Sequence, residues 1–265
     1  MRLLSIASGS SGNCIYVGND DHHILIDAGI SGKRIEAGLN SIGLTTKDLD
    51  GIFVTHEHID HIAGIGVLTR KADIPIYATN GTLQGIVNCK SVGNIDPDLL
   101  CPIHRNENVF IGDLLIEAMP ISHDAQDPVC YRVGDGMKKV AVATDMGCFN
   151  NQIVAGLQGL DALLLEANHD VRMLQVGPYP YYLKQRILGD RGHLSNELAG
   201  QLLCQLLHDN LKHILLGHLS QENNLPDLAH EAVRLEITMA DNPYQPSDFH
   251  IEVAKRNEPS TLIEV

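Results

Sequence analysis

Six consecutive residues, His56-Glu57-His58-Ile59-Asp60-His61, place four metal-ligand side chains directly behind a strand-like run, Gly51-Ile52-Phe53-Val54-Thr55. His56 and His58 stand two apart, so an extended segment throws both to the same side. Asp60 and His61 follow where the chain should turn into a helix, and from there they can face a second point nearby. Imidazole together with carboxylate suits Zn²⁺, and in related sites Mn²⁺ or Fe²⁺. A histidine-rich surface loop is the plain alternative. Four ligand types packed behind a strand argue against it.

Further candidates recur at strand ends. His123 lies in Pro120-Ile121-Ser122-His123-Asp124, Asp145 follows Val140-Ala141-Val142-Ala143-Thr144, and His218 follows His213-Ile214-Leu215-Leu216-Gly217. Ligands belong at such ends when rigid sheets must converge on one point. Taken singly, each histidine reads equally well as an exposed turn residue, and Asp145 as a helix cap. Their joint occurrence lifts them.

The elements that must position these groups can be read from periodicity. Strand-like runs fall at Arg2–Ala7, Cys14–Val17, His23–Asp27, Ile52–Thr55, Ile76–Ala78, Asn108–Ile111, Leu114–Pro120, Cys130–Val133, Val140–Thr144, Ala162–Glu166, His213–Gly217 and Ile251–Ala254. Gly112-Asp113 and Gly134-Asp135-Gly136 read as hairpin turns. Helical patterns fit Gly32–Ile42, His61–Lys71, Asn151–Leu157, Asn196–Asp209 and Pro226–Met239, with Leu198, Leu202, Leu206 and Leu228, Ala232, Leu235 as apolar stripes. The order predicts an α/β (α+β) chain of packed sheets with helices outside. No linker or low-complexity tract divides it, so 265 residues are expected to form one domain.

Six scattered cysteines without a C-x-x-C pair, no signal-peptide pattern and no transmembrane stretch predict a reducing, cytoplasmic setting with no membrane partner. The net charge of −14 argues against a general nucleic-acid binder. Two divalent ions would nonetheless leave the site itself positive and attractive to an anion. Nothing in the sequence sets the oligomeric state.

On the residues His56, His58, Asp60, His61, His123, Asp145 and His218, the chain resembles the metallo-β-lactamase-fold hydrolases, whose signature is H-x-H-x-D-H followed by His, Asp and His. The resemblance covers nearly the whole chain and implies an αββα sandwich. It implies that His56, His58 and His123 hold one metal, Asp60, His61 and His218 the other, and that Asp145 bridges them. A second layer is similar to the family's phosphodiesterase branch: Leu163-Leu164-Leu165-Glu166-Ala167-Asn168, then Gly192-His193-Leu194-Ser195-Asn196 before a helix, then His218. This implies His193 as the acid that protonates the departing oxygen, Glu166 as its orienting carboxylate, and Asp60 as a ligand that also aims the nucleophile. The plainer readings are a helix N-terminal residue for His193 and a lysine-pairing carboxylate for Glu166.

Only 22 positions separate His123 from Asp145, too few for the arm of a tRNA-processing enzyme, and the 73 between Asp145 and His218 cannot hold a β-CASP insert. With the Ser8-Gly9-Ser10-Ser11-Gly12-Asn13 loop, His123-Asp124-Ala125, Glu166-Ala167-Asn168-His169-Asp170 and Gly177-Pro178-Tyr179-Pro180, the chain resembles the bacterial YycJ/WalJ (VicX) family. That resemblance implies 5′→3′ exonuclease activity on DNA rather than RNA. A thioester hydrolase of the glyoxalase II kind shares the seven ligands but needs no proton donor such as His193. A metal-binding regulator without activity is the remaining alternative.

Substrate contacts are less determined. Backbone N–H groups of the 8–13 loop, with Ser10 and Asn13, could cradle a phosphate, or the loop could be a tight turn. Lys184, Arg186 and Arg191 could neutralise phosphates, and Tyr179, Tyr181 and Tyr182 could stack on bases, or both groups could be a solvated helix face. Asp27 is a candidate for orienting a ligand histidine, and His169 for reaching the site from its strand end.

Overall fold

Continuous apolar runs such as Ile24-Leu25-Ile26 and Ala162-Leu163-Leu164-Leu165 leave no side chain for solvent, which fits strands covered on both faces. The computed structural model, which describes residues 1–265, places them inside two seven-stranded sheets. The strands are β1 (Arg2–Ala7), β2 (Cys14–Gly18), β3 (His23–Ile26), β4 (Gly51–Phe53), β5 (Ile76–Thr79), β6 (Leu100–Ile103), β7 (Asn108–Ile111), β8 (Leu114–Pro120), β9 (Val129–Gly134), β10 (Lys139–Ala143), β11 (Ala162–Glu166), β12 (His213–Gly217), β13 (His250–Val253) and β14 (Ile263–Glu264). The helices are α1 (Gly32–Asn40), α2 (Ile59–Ile62), α3 (Ile65–Thr69), α4 (Asn80–Asn88), α5 (Asn151–Gly156), α6 (Val171–Val176), α7 (Tyr181–Leu188), α8 (Asn196–Cys204) and α9 (Pro226–Met239).

One sheet runs β14-β1-β2-β3-β4-β5-β6 and the other β13-β12-β11-β10-β9-β8-β7. In each, a parallel half (β3 to β6, β10 to β13) adjoins an antiparallel one. Three apolar clusters account for the layering. One, with Phe53, Tyr131, Val142 and Leu164, lies between the sheets; one, with Ile35, Leu39 and Ile86, joins the first sheet to its helices; one, with Leu202, Val233 and Ile237, does so for the second. The αββα sandwich expected from the sequence is present. No helix is long and apolar enough to cross a membrane.

Several local expectations change. The helix expected over His61–Lys71 is broken into α2 and α3 at Gly64, whose N–H donates to Ala28 O at 2.7 Å and whose Cβ, if it had one, would stand 2.2 Å from Ile30 O. On α9 the buried face is Ala229, Val233 and Ile237, whereas Leu228 and Leu235, on the expected stripe, are exposed. Likewise on α8 Leu202 is buried but Leu198 is 37% exposed, and Leu206, also buried, lies beyond the end of that helix. Strand β6 was hidden by Pro102, tolerated because β6 is an edge strand. Helix α4 was hidden by Gly81 and Gly85, and α6 and α7 by the Gly-Pro-Tyr-Pro run between them.

Candidate active site

The parallel halves of both sheets point their C-terminal ends to one edge of the sandwich, and the chemistry-bearing residues stand there. His56 follows β4, His123 β8, Asp145 β10 and His218 β12, while Glu166 closes β11. Three residues that turn away from strand ends, Asp27, Asp145 and His218, hold left-handed backbone (φ of 61, 63 and 54°). Such a conformation costs a non-glycine residue of order 1–3 kcal/mol and persists where surrounding structure enforces it. Asp60 and His61 sit on α2, pressed against Gly29 so tightly that a Cβ there would stand 1.6 Å from Asp60 O.

The seven expected ligands come together. His56, His58 and His123 form one group, Asp60, His61 and His218 another, and Asp145 joins His56 and His61 in a third. Partners at the back of four of the five ligand rings fix which nitrogen faces the centre. His61 Nδ1 donates to Asp27 Oδ2 (2.7 Å), His123 Nδ1 to Gly192 O (3.0 Å) and His218 Nδ1 to Glu166 Oε1 (2.9 Å). Thr55 Oγ1 donates to Asp27 Oδ2 (2.8 Å), so it accepts from His56 Nδ1 (3.0 Å). These pairings assign the proton to Nδ1 and turn the Nε2 lone pairs inward.

Whether this set fits metal ions is decided by the inward atoms. His56 Nε2, His218 Nε2 and Asp145 Oδ2 are buried without any hydrogen-bond partner, an arrangement that costs stability unless something binds them. Donor separations are 3.3 Å for His58 Nδ1–His123 Nε2, 3.3 Å for His61 Nε2–Asp145 Oδ2, 3.5 Å for His218 Nε2–Asp60 Oδ2 and 3.6 Å for His61 Nε2–Asp60 Oδ2. Two donors each about 2.0–2.1 Å from a tetrahedral ion stand about 3.3–3.4 Å apart. The set is compatible with metal binding.

Before ions bind, charge differs from ring to ring. Burial depresses the His56 imidazole, and its histidine neighbours add to that, so it is neutral and ligand-competent. Burial opposes protonation of His61, but Asp27, Asp145 and Asp60 outweigh it and hold the ring at about 9. Asp60 is held well below the usual carboxylate range: burial opposes this, while His61 and His218 prevail.

Glu166 is fully buried and uses both oxygens. Oε1 accepts from His193 Nδ1 (2.8 Å) and His218 Nδ1 (2.9 Å), and Oε2 from the backbone N–H groups of Met146 (2.9 Å) and Leu194 (3.2 Å). One carboxylate thus orients both the candidate acid and a candidate ligand, which sequence reasoning did not foresee. His193 remains partly open, and the Ser195 side chain, accepting from Leu198 N at 3.2 Å, caps α8 just behind it. Thr55, between Asp27 and His56, was also missed.

The residues expected to contact substrate differ in what holds them. Asn13 is buried and closes its loop, accepting from Gly9 N (2.9 Å) with Oδ1 and donating to Gly9 O (3.2 Å) with Nδ2, which also lies 3.2 Å from His61 Nε2. Lys184 Nζ is spent on the α6 end, donating to Gln175 O (2.8 Å) and Gly177 O (2.7 Å). Arg191 pins the 123–125 segment through His123 O (3.1 Å). Ser10 is exposed, and Arg186 pairs with Asp124 at the rim beside His58 and His123. Tyr181 and Tyr182 are exposed on α7. His169 is buried behind His193, its backbone bridged to Ser195, with burial pushing its imidazole down to about 4.

Comparison with known proteins gives the family. A family model described as "Beta-lactamase superfamily domain" matches residues 22–218. The chain is 42% identical over 228 residues to "Exodeoxyribonuclease YycJ" of Bacillus anthracis (86% of each chain), and 42% identical over 236 residues to "Exodeoxyribonuclease WalJ" of Streptococcus pneumoniae serotype 2 (89% of this chain, 88% of that one). The metallo-β-lactamase fold protein YhfI of Bacillus subtilis superposes with a TM-score of 0.70 over 98% of both chains at 16% identity, a likeness of fold alone. The chain belongs to the metallo-β-lactamase superfamily and, within it, to the YycJ/WalJ family.

Proposed function

We propose that the chain is a dinuclear metal-dependent phosphodiesterase that degrades DNA from the 5′ end, acting as one metallo-β-lactamase-fold domain in the cytoplasm. The observation that carries the reading is the Glu166 carboxylate shared between His193 and His218. It ties a proton donor to the ligand cluster, a device useful for expelling a poor leaving group. Thioester hydrolysis releases a good one and has no need of it. DNA as substrate is supported by 42% identity to two proteins named as exodeoxyribonucleases, and a reducing compartment by six free cysteines.

In this reading His56, His58 and His123 would hold one divalent ion and Asp60, His61 and His218 the other, with Asp145 available to either; Zn²⁺ or Mn²⁺ suits the donors, and Fe²⁺ is compatible. When bound, such a pair neutralises charge growing on a phosphorus centre and makes water nucleophilic near neutral pH. Asp60 accepts a hydrogen bond from the attacking water and aims it. His193, its Nδ1 given to Glu166, presents Nε2 to the departing oxygen and delivers the proton as the P–O bond breaks. Glu166 stabilises the imidazolium until then.

A general acid of this kind contributes on the order of 10²–10⁴ in rate. His193→Ala is therefore expected to retain the parent's metal content while losing most turnover of end-labelled DNA. Normal DNA turnover by that variant would remove the proton donor from the scheme. Digestion of linear and circular DNA and RNA with each metal tests the substrate.

A further inference from the structure

The edge of the sandwich that carries the ligands also carries a cavity of about 540 Å³. Its walls come from loops following one strand of the first sheet and two adjacent strands of the second: Ser8 after β1, Leu219 and Gln221 after β12, and Arg256 after β13, with Leu225 at the start of α9. It adjoins the ligand cluster. The His218 backbone N–H donates to Ser8 Oγ at 2.8 Å, and Leu219 is the next residue. The volume lies in the range of pockets that enclose a small organic ligand.

Arg256 is the notable group on this wall. Its half-buried guanidinium donates to Leu219 O (2.6 Å), Ser10 Oγ (3.3 Å) and Ser11 Oγ (3.2 Å), holding the 8–13 loop against the segment behind His218. It has no carboxylate partner in a chain of net charge −14. Lys255 beside it is already tied to Glu258 at 2.9 Å. A half-buried, unneutralised guanidinium is suited to phosphate.

The ground beyond is different. A second cavity, also about 540 Å³, shares Pro226, Val253 and Lys255 with the first, but Asp227 and Glu252 line it. Lys255 and His230 share that wall, but with Lys255 tied to Glu258 the carboxylates of Asp227 and Glu252 leave it unfavourable to a phosphodiester chain continuing outward. The inner cavity therefore offers a cation and apolar wall for about one nucleotide, and the outer one closes the track.

We propose that the cavity beside His218 is the subsite for the terminal nucleotide of the DNA strand, with Arg256 on a phosphate and Leu219 and Leu225 against the base. This rests on the nuclease reading and adds to it where the strand end lies and why cleavage starts from an end.

Two variants of the metal-loaded full chain test it. Arg256→Gln removes the charge, and Leu225→Trp fills the cavity from a half-exposed position. Binding of thymidine 5′-monophosphate is measured by calorimetry. Hydrolysis is measured on a 5′-phosphorylated oligonucleotide and on bis(p-nitrophenyl) phosphate, which is too small to need the cavity. A charged hydrogen bond lost from a site of this kind corresponds to about tenfold or more. Both variants should weaken nucleotide binding by about tenfold and raise KM for the oligonucleotide relative to the small diester by a similar factor. Nucleotide binding and the ratio of the two activities unchanged within about twofold in both variants would overturn the subsite while leaving the nuclease intact. A parent protein that hydrolyses neither diester with Zn²⁺ or Mn²⁺ would overturn the nuclease reading, and the subsite with it.

Discussion

Glu166→Gln keeps the size and shape of the side chain while removing its charge and one of its two accepting ends. In the parent, four N–H groups converge on that carboxylate: His193 and His218 on Oε1, Met146 and Leu194 on Oε2. An amide has one accepting end. If its oxygen stays with the imidazoles, its NH₂ faces two backbone N–H groups in a buried site. If it turns round, its NH₂ faces His193 Nδ1 and His218 Nδ1. Those rings must then carry their protons on Nε2, which removes the His218 lone pair from the cluster. Hydrogen bonds to a charged acceptor are each worth about 1.5–3 kcal/mol, and a buried donor left unpaired costs about 1–3 kcal/mol. Either orientation therefore carries a penalty of several kcal/mol at this one position. Loss of a ligand's supporting partner typically weakens metal affinity by about 10–100-fold, and loss of an oriented acid slows the reaction by about 10²–10⁴. Metal titration monitored by elemental analysis, melting temperature and DNA turnover, measured together on parent and variant, read these effects separately. A variant with the parent's metal affinity, stability and turnover would refute the shared-carboxylate account.

Three further outcomes follow from the same structure. In chelator-treated protein, His61 is held at about 9 and His218 is also raised, by carboxylates that outweigh burial. Because both lie above the unfolded value near 6.5, their stabilisation is complete below about pH 6.5; that of His61 is lost as pH rises through about 9, and that of His218 only as pH rises well above 6.5. With ions bound the rings serve as neutral ligands, so the melting-temperature gap between loaded and stripped protein should widen over that window; a constant gap contradicts the assignment. Ile237→Ala, on the buried face of α9, should cost about 2–5 kcal/mol in denaturant unfolding, whereas Leu235→Ala should stay within about 0.5 kcal/mol. Asp27→Asn should weaken metal binding by about 10–100-fold, since Asp27 orients His61 directly and His56 through Thr55; metal titration that matches the parent would exclude that role.

The cluster was legible in the sequence because its residues combine type with position. His56, Asp145 and His218 each follow a short apolar run, and a run of β-type residues ending in a ligand carries both a strand and its terminus in a few letters. The sheets were readable for the same reason. What failed was local ambiguity or distance. On α9 two stripes, Leu228–Leu235 and Ala229–Ile237, are both apolar, and the second is the one packed inward, α9 coming close to α8 at Gly200, beside Val233. Asn13 and Lys184 have groups suited to phosphate, yet nearby carbonyls and loop N–H groups claim them in the fold. Arg256 meets Ser10 from 246 positions away, and no periodicity or motif joins the two. The double use of Glu166 likewise depends on β11 and β12 lying side by side in parallel register, Glu166 opposite Gly217.

The most direct measurement is anomalous diffraction from crystals grown with Mn²⁺ or Zn²⁺. Two peaks are expected, one among His56, His58 and His123 and one among Asp60, His61 and His218, with Asp145 between them. A single peak, or metal bound away from these seven side chains, would contradict it.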